Sequence, residues 1–346
     1  MAITIRTGRC PARRPANPAT RGPDSCSPDH TGSSGTAIAA APAGNRTAAS
    51  LVAVLFGCAQ LWLLFGGTAL HAQDRPVLTE AQRSRVQIHA LADKEDIYVI
   101  PGFDGGLSGG NVAVLVTRDG VLIVDNKFEY SHPDIMAQLR TITDLPVRYV
   151  LNTHHHFDHA GSNAAFMNDA TVLAHRNVRS NILANNQSGA PEVLYDQSAT
   201  VVLGGQEVTA YHFGRGHTNG DSVIHFLRQR TVHTGDLFIW GERLDGSTLA
   251  PFIDYANGGS AVAWTATLDG LLALDFDTVI PGHGPILRKV DIRIFRSRFE
   301  QLLTRMRVLI ADGVTRDAIA AELDIADLGW PMPASRIESI YDELTQ

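Results

Sequence analysis

Four side chains able to ligate a metal crowd into six positions of this chain. They are His154, His156, Asp158 and His159, within Asn152-Thr153-His154-His155-His156-Phe157-Asp158-His159. The segment follows Val147-Arg148-Tyr149-Val150-Leu151, an apolar run that reads as a buried strand. In extended backbone His154 and His156 point the same way, so both reach one cation. Asp158 and His159 come after the chain has turned and reach a second. Imidazole with carboxylate is the ligand set of borderline divalent metals, zinc above all. By the same alternation His155 points away from the metals and reads as a supporting or structural residue.

Three later turns offer further ligands: His217 in Gly216-His217-Thr218, Asp236 in Thr234-Gly235-Asp236, and His283 in Gly282-His283-Gly284. Each lies at the end of a β-like run, where a rigid sheet presents a loop. These ordered motifs resemble those of the metallo-β-lactamase-fold superfamily, over about residues 98–309. The resemblance implies an α/β fold: an αββα sandwich of two mixed β-sheets with helices on the outer faces and metals at one edge. It also implies a ligand set: His154, His156 and His217 at a first site, Asp158, His159 and His283 at a second, and Asp236 bridging. Asp125, at a strand end, matches an acidic position that orients a ligand histidine. The best-known zinc lactamases carry cysteine where this chain has Asp236, and others carry serine. Aspartate there resembles glyoxalase II-like thioesterases, lactonases and other binuclear hydrolases.

The chemistry expected is hydrolysis of a carbonyl ester, lactone, thioester or amide. Two divalent ions, zinc first and iron or manganese as alternatives, would acidify a bound water from pKa 15.7 to about 7. Asp158 and Asp236 are the candidate catalytic carboxylates. Arg215, two residues before His217, is a candidate clamp for a substrate carboxylate. The loop after Asp236, with Phe238 and Phe252, is too long for a simple turn and should wall the pocket, unless those rings only pack beneath it. Three other readings stay open: a mononuclear iron persulfide dioxygenase, a zinc β-lactamase and a non-catalytic metal-binding protein. The run Gly105-Gly106-Leu107-Ser108-Gly109-Gly110 has the look of a phosphate cradle, but its place between strands makes it a hairpin loop.

The supporting elements follow from periodicity. Residues 97–100, 112–116 and 121–124 read as strands, the last two joined by Thr117-Arg118-Asp119-Gly120. A helix opens at Ser131-His132-Pro133, and 171–174 is another strand. A second strand series covers 201–203, 207–213, 222–227, 231–233 and 277–280. Residues 260–274, 291–310 and 315–323 read as helices, and 78–94 as a loosely packed one.

Residues 1–49, rich in Pro, Ala, Gly, Ser, Thr and Arg, read as a disordered or unused leader. Residues 50–72 have the basic, apolar, small-residue order of an export signal cleaved near Ala69 or Ala72. The alternative is a membrane anchor through 49–65. The hydrolase domain is then 73–346, periplasmic or secreted, with no stable membrane association after cleavage. All three cysteines (Cys10, Cys26, Cys58) precede it, which excludes a disulfide framework and thiolate ligands. Six of the 29 Lys and Arg and two of the 36 Asp and Glu lie in residues 1–72, so the remainder has a formal net charge of −11. Such a surface repels phosphate backbones and argues against nucleic acid as a partner. The expected partner is a small-molecule substrate; the sequence leaves the oligomeric state open.

Overall fold

The computed structural model describes residues 2–6, 79, 87–102, 108–243 and 246–346. In chain order the first strands are β1 (Ala2–Arg6), β2 (His89–Ala90), β3 (Ile97–Ile100), β4 (Val112–Thr117), β5 (Gly120–Val124), β6 (Val147–Leu151), β7 (Thr171–His175) and β8 (Val193–Tyr195). Then come β9 (Ser198–Leu203), β10 (Gln206–Tyr211), β11 (Val223–Phe226), β12 (Thr231–His233), β13 (Thr278–Ile280) and β14 (Leu287–Arg288). They form two seven-stranded sheets, β2 to β8 in sequence order and β1-β9-β10-β11-β12-β13-β14. Both are mixed: β5, β6, β7 and β8 run parallel to one another, as do β12 and β13, while the other pairs are antiparallel.

The alternation of side chains along each strand sorts the apolar residues into layers. Ala113, Leu115, Leu122, Val124, Tyr149 and Leu151 of one sheet meet Val201, Val208, Ala210, Ile224, Phe226 and Ile280 of the other. The opposite face of the first sheet, with Val112, Val114, Val121, Ile123 and Val150, packs on helix α1 (His132–Leu139) through Ile135 and Leu139. Because β4 and β5 are covered on both faces, their runs are almost continuously apolar. The short helices α2 (Phe157–Ala160) and α3 (Asn163–Phe166), then α4 (Arg176–Ala184), belong to this half. The outer face of the second sheet packs on α5 (Ala261–Leu272) and α6 (Lys289–Ala311), with α7 (Ile319–Glu322) and α8 (Ala334–Leu344) behind them. The architecture is therefore the αββα sandwich expected from the motifs.

Three details differ from the sequence reading. The described part of 78–94 is not helical. His89–Ala90 pairs with Tyr98–Val99, and the Leu91 N–H bonds the Ile97 carbonyl at 2.9 Å, so hairpin pairing outcompetes a weak helical pattern. The last helix, α8, lies beyond the two expected C-terminal helices. Within the supposed leader, Ala2–Arg6 pairs antiparallel with β9 as an edge strand, where no element was expected. The export signal read over 50–72 lies outside the described residues. Among the described residues no helix is long and apolar enough to cross a membrane.

Trp264 is the largest fully buried side chain of the helical layer, packed near Phe295 and Phe299, with its indole N–H on the Leu237 carbonyl at 3.1 Å. Trp264→Ala should lower the unfolding free energy by about 3–5 kcal/mol. Urea denaturation measures this, and a loss under about 1 kcal/mol would show that the layer does not depend on it.

Candidate metal centre

Five strands deliver the site from their carboxyl ends. The loop after β6 carries His154, His156, Asp158 and His159, those after β10, β12 and β13 bring His217, Asp236 and His283, and the end of β5 supplies Asp125. The structure thus gathers all seven ligands proposed from sequence. His156 Nδ1 lies 3.1 Å from His154 Nε2 and 2.9 Å from His217 Nε2. His283 Nε2 lies 3.0 Å from Asp158 Oδ2 and 3.3 Å from His159 Nε2. Asp236 stands between the two groups. Its Oδ1 is 3.2 Å from His159 Nε2 and 3.6 Å from His283 Nε2, and its Oδ2 is 3.7 Å from His217 Nε2.

The tautomers are fixed from behind. His217 Nδ1–H donates to the Phe252 carbonyl at 2.7 Å, and His156 Nε2–H to Asp254 Oδ2 at 2.9 Å. Asp125 is fully buried; it accepts from the Thr153 N–H at 2.8 Å, the Thr153 hydroxyl at 2.7 Å and His159 Nδ1–H at 2.8 Å. Since the Thr153 hydroxyl donates to Asp125, it accepts from His154 Nδ1–H at 3.1 Å. Each of these four rings, when neutral, therefore turns a lone pair inward. Asp236 Oδ1 is buried without a well-aligned donor, although His159 Nε2 is near. Converging lone pairs and an unsatisfied carboxylate oxygen are what a divalent cation satisfies, and each of the groups His154/His156/His217 and Asp158/His159/His283 has the spacing to hold one.

Electrostatics differ between the two groups. Burial, then its histidine neighbours, pushes His154 well below its ordinary value; burial and His156 bring His217 to about 4. Both stay neutral and available as ligands. Burial opposes protonation of His159, but Asp158, Asp236 and the bond to Asp125 hold it well above its ordinary value. Burial likewise opposes ionisation of Asp236, yet His283, His159 and His217 keep it a carboxylate.

Two glycines make the close approach of these loops possible. A Cβ on Gly282 would sit 1.9 Å from Asp236 Oδ1, and one on Gly110 would sit 2.2 Å from His159 Cε1. Gly110 also donates its N–H to the Asp158 carbonyl at 2.9 Å. The described end of the glycine-rich run is therefore packing against the metal loop, while 103–107 lie outside the described residues.

Other expectations separate here. His155 faces Asp254, with Nε2 3.8 Å from Oδ2, and burial pulls it to about 3. Phe238 is core, whereas Phe252 is 45% exposed with its ring centroid 5.7 Å from that of His217. Arg215 is exposed beside the His217 loop, and its carbonyl accepts from the Thr267 hydroxyl at 2.7 Å. Sequence reasoning missed Asp254, Thr153 and the Phe252 carbonyl. Asp254 lies 98 positions from the ring it orients, so no local spacing marks it. Asp125→Ala should weaken metal binding about 10–100-fold, the usual cost of removing a ligand's hydrogen-bond partner. Competition with a chromogenic chelator measures it, and wild-type affinity would show that Asp125 only supports the fold.

Comparison with known proteins matches this geometry. The metallo-beta-lactamase superfamily model matches residues 105–283. The chain is 26% identical over 192 residues to the metallo-beta-lactamase IND-1 of Chryseobacterium indologenes, covering 54% of this chain and 77% of that protein. It is also 26% identical over 159 residues to the 2,4-dinitroanisole O-demethylase subunit alpha of Nocardioides sp. (strain JS1661), 45% of each chain. Among solved structures, a metallo-beta-lactamase from Pontibacter korlensis superposes with a TM-score of 0.53 at 18% identity, over 62% of this chain and 99% of that one. The DIM-1 metallo-beta-lactamase does so with 0.51 at 21%, over 62% and 98%. Likeness at that identity concerns the fold, and the family match covers the segment that holds all seven ligands: the chain belongs to the metallo-β-lactamase superfamily.

Proposed function

We propose that this metal-dependent hydrolase is binuclear and cleaves a carbonyl ester, lactone, thioester or amide. The observation that carries the reading is Asp236, whose two oxygens face the two ligand groups separately. Two divalent ions at this site, zinc by ligand chemistry, would supply a hydroxide near neutral pH and an electrophile for the substrate oxygen. The chain's residues define the rest. Asp158 is the more exposed of the two carboxylates, 22% against 14% for Asp236, and its neighbours hold it ionised. In this reading it steers the attacking water. Phe157, which opens α2, and Phe252, on the segment behind His217, are 54% and 45% exposed and give an apolar rim suited to a neutral or weakly anionic substrate. Arg215 is the candidate partner for a substrate carboxylate. β-Lactam cleavage is the second reading, favoured by the similarity to IND-1.

The protein as purified should hold close to two divalent ions per chain. Strong chelation should abolish hydrolysis, and zinc, manganese or cobalt should restore part of it. Full activity in metal-free protein would refute the mechanism, and oxygen uptake with one iron per chain would replace it with the dioxygenase reading. A panel of esters, thioesters, lactones and a chromogenic β-lactam separates the substrate classes.

Asp236→Cys tests the bridge. A thiolate binds one zinc well but lacks a second oxygen for the other group. One ion should be retained, with hydrolysis reduced by about two orders of magnitude or more. Unchanged metal content and turnover would remove Asp236 from the bridging role.

A further inference from the structure

The segment 251–261 carries two groups on which the first ligand cluster depends: the Phe252 carbonyl behind His217 and the Asp254 carboxylate behind His156. It has no strand pairing to hold it. Its backbone is tied to the His217 loop by Asp254 N–H to the His217 carbonyl and Ser260 N–H to the Gly216 carbonyl, both 2.8 Å. Asn185 donates to the Asn257 side-chain oxygen at 2.8 Å, and a further anchor is distant in sequence. Glu343, near the end of α8, accepts from the Tyr255 hydroxyl at 3.0 Å, the Ala261 N–H at 2.8 Å, the Val262 N–H at 3.4 Å and the Ser260 hydroxyl. Burial and the Glu343 charge hold the Tyr255 hydroxyl well above its ordinary value, so it stays a donor.

The choice of a carboxylate has a physical reason. Ser260 caps α5 by accepting from the Ala263 N–H at 3.0 Å, which leaves the N–H groups of Ala261 and Val262 to Glu343. An anion at that end of a twelve-residue helix is also favoured by the helix dipole. Two turns earlier on α8, and so on the same face, Arg336 donates to the Pro251 carbonyl at 3.0 Å and lies 5.3 Å from the Phe252 ring centre. One helix therefore grips both ends of the segment, at Pro251–Phe252 and at Tyr255–Val262.

We propose that α8 is a clamp for the first metal cluster, with Glu343 its main positioning residue: by fixing segment 251–261 it holds Asp254 and the Phe252 carbonyl against His156 and His217. Glu343 touches neither metal nor substrate. It acts through the tautomer and direction of two ligands. The inference rests on the proposed metal occupancy of the site.

The test titrates zinc against a chromogenic chelator in full-length wild type, Glu343→Ala, Asp254→Ala and the double variant, with thermal unfolding alongside. Glu343→Ala should weaken one of the two ions about tenfold, the low end for a group supporting ligands, and leave the other within about twofold. The same ion should weaken in Asp254→Ala, and the double variant should lose less than the sum of the two single losses, because the Asp254–His156 contact is shared while the Phe252–His217 contact is not. Tyr255→Phe, a milder change should Glu343→Ala not fold, should weaken the same ion by a smaller factor. A lower melting temperature with both affinities at wild-type values, in either variant, would make Glu343 a fold-stabilising residue only and overturn the clamp. Losses that simply add in the double variant would overturn it too. Wild-type protein that takes up no zinc would overturn both the clamp and the metallohydrolase reading, whereas wild type with two ions and an indifferent Glu343→Ala would overturn the clamp alone.

Discussion

Lone pairs that must point at one another govern this structure. His154, His156 and His217 bring ring nitrogens within about 3 Å, and two carboxylates join them in a largely buried space. Without a cation such an arrangement is repulsive or needs shared protons, and burial makes it costlier. Four of the five imidazoles are steered by a partner on the far nitrogen: Thr153, Asp254, Asp125 and the Phe252 carbonyl. His283 is the exception, with a buried Nδ1 that has no hydrogen-bond partner among the described residues.

A site of this kind also constrains how the two sheets meet. Asn111, at the start of β4, receives the Gly102 N–H at 2.7 Å on its side-chain oxygen and donates its amide to the Pro281 and Gly284 carbonyls across the sandwich. Its own backbone N–H bonds the Gly282 carbonyl at 2.8 Å. The turn that presents His283 is thus pinned to the opposite sheet by one residue. Asp125 and Lys127 adopt left-handed backbone (φ 59° each), a strained conformation for residues with side chains. For Asp125 the three donors gathered on its carboxylate offset that strain. Lys127 points its ammonium at the carbonyls of Pro101, Ser108 and Gly110, fastening the glycine-rich loop beside His159.

The ligands were legible in the sequence because three of them, His217, Asp236 and His283, follow a glycine in a turn at a strand end, and because the other four share one short motif. The two-sheet architecture followed from the same ordering, since runs such as Val112–Thr117 and Gly120–Val124 are apolar enough to declare a doubly covered strand. What could not be read is long-range. Asp254 and Glu343 look like ordinary loop and helix acids, and their meaning lies in partners 98 and 83 positions away. The 78–94 segment misled because its spaced apolar residues fit a weak helix, whereas tertiary pairing with β3 decides its conformation. Phe238 and Phe252 belong to one loop of similar composition, and only packing separates a core ring from a pocket wall.

Asn111 and its neighbours give the site a topological character. His159 and His283 meet across 124 positions, and the ligands are divided between loops of both sheets. Neither sheet alone presents a complete ligand set. A bound ion therefore reads out the docking of the two halves, and its binding free energy adds to the stability of the assembled sandwich alone. A chain whose sheets have not docked would offer at most part of either ligand group.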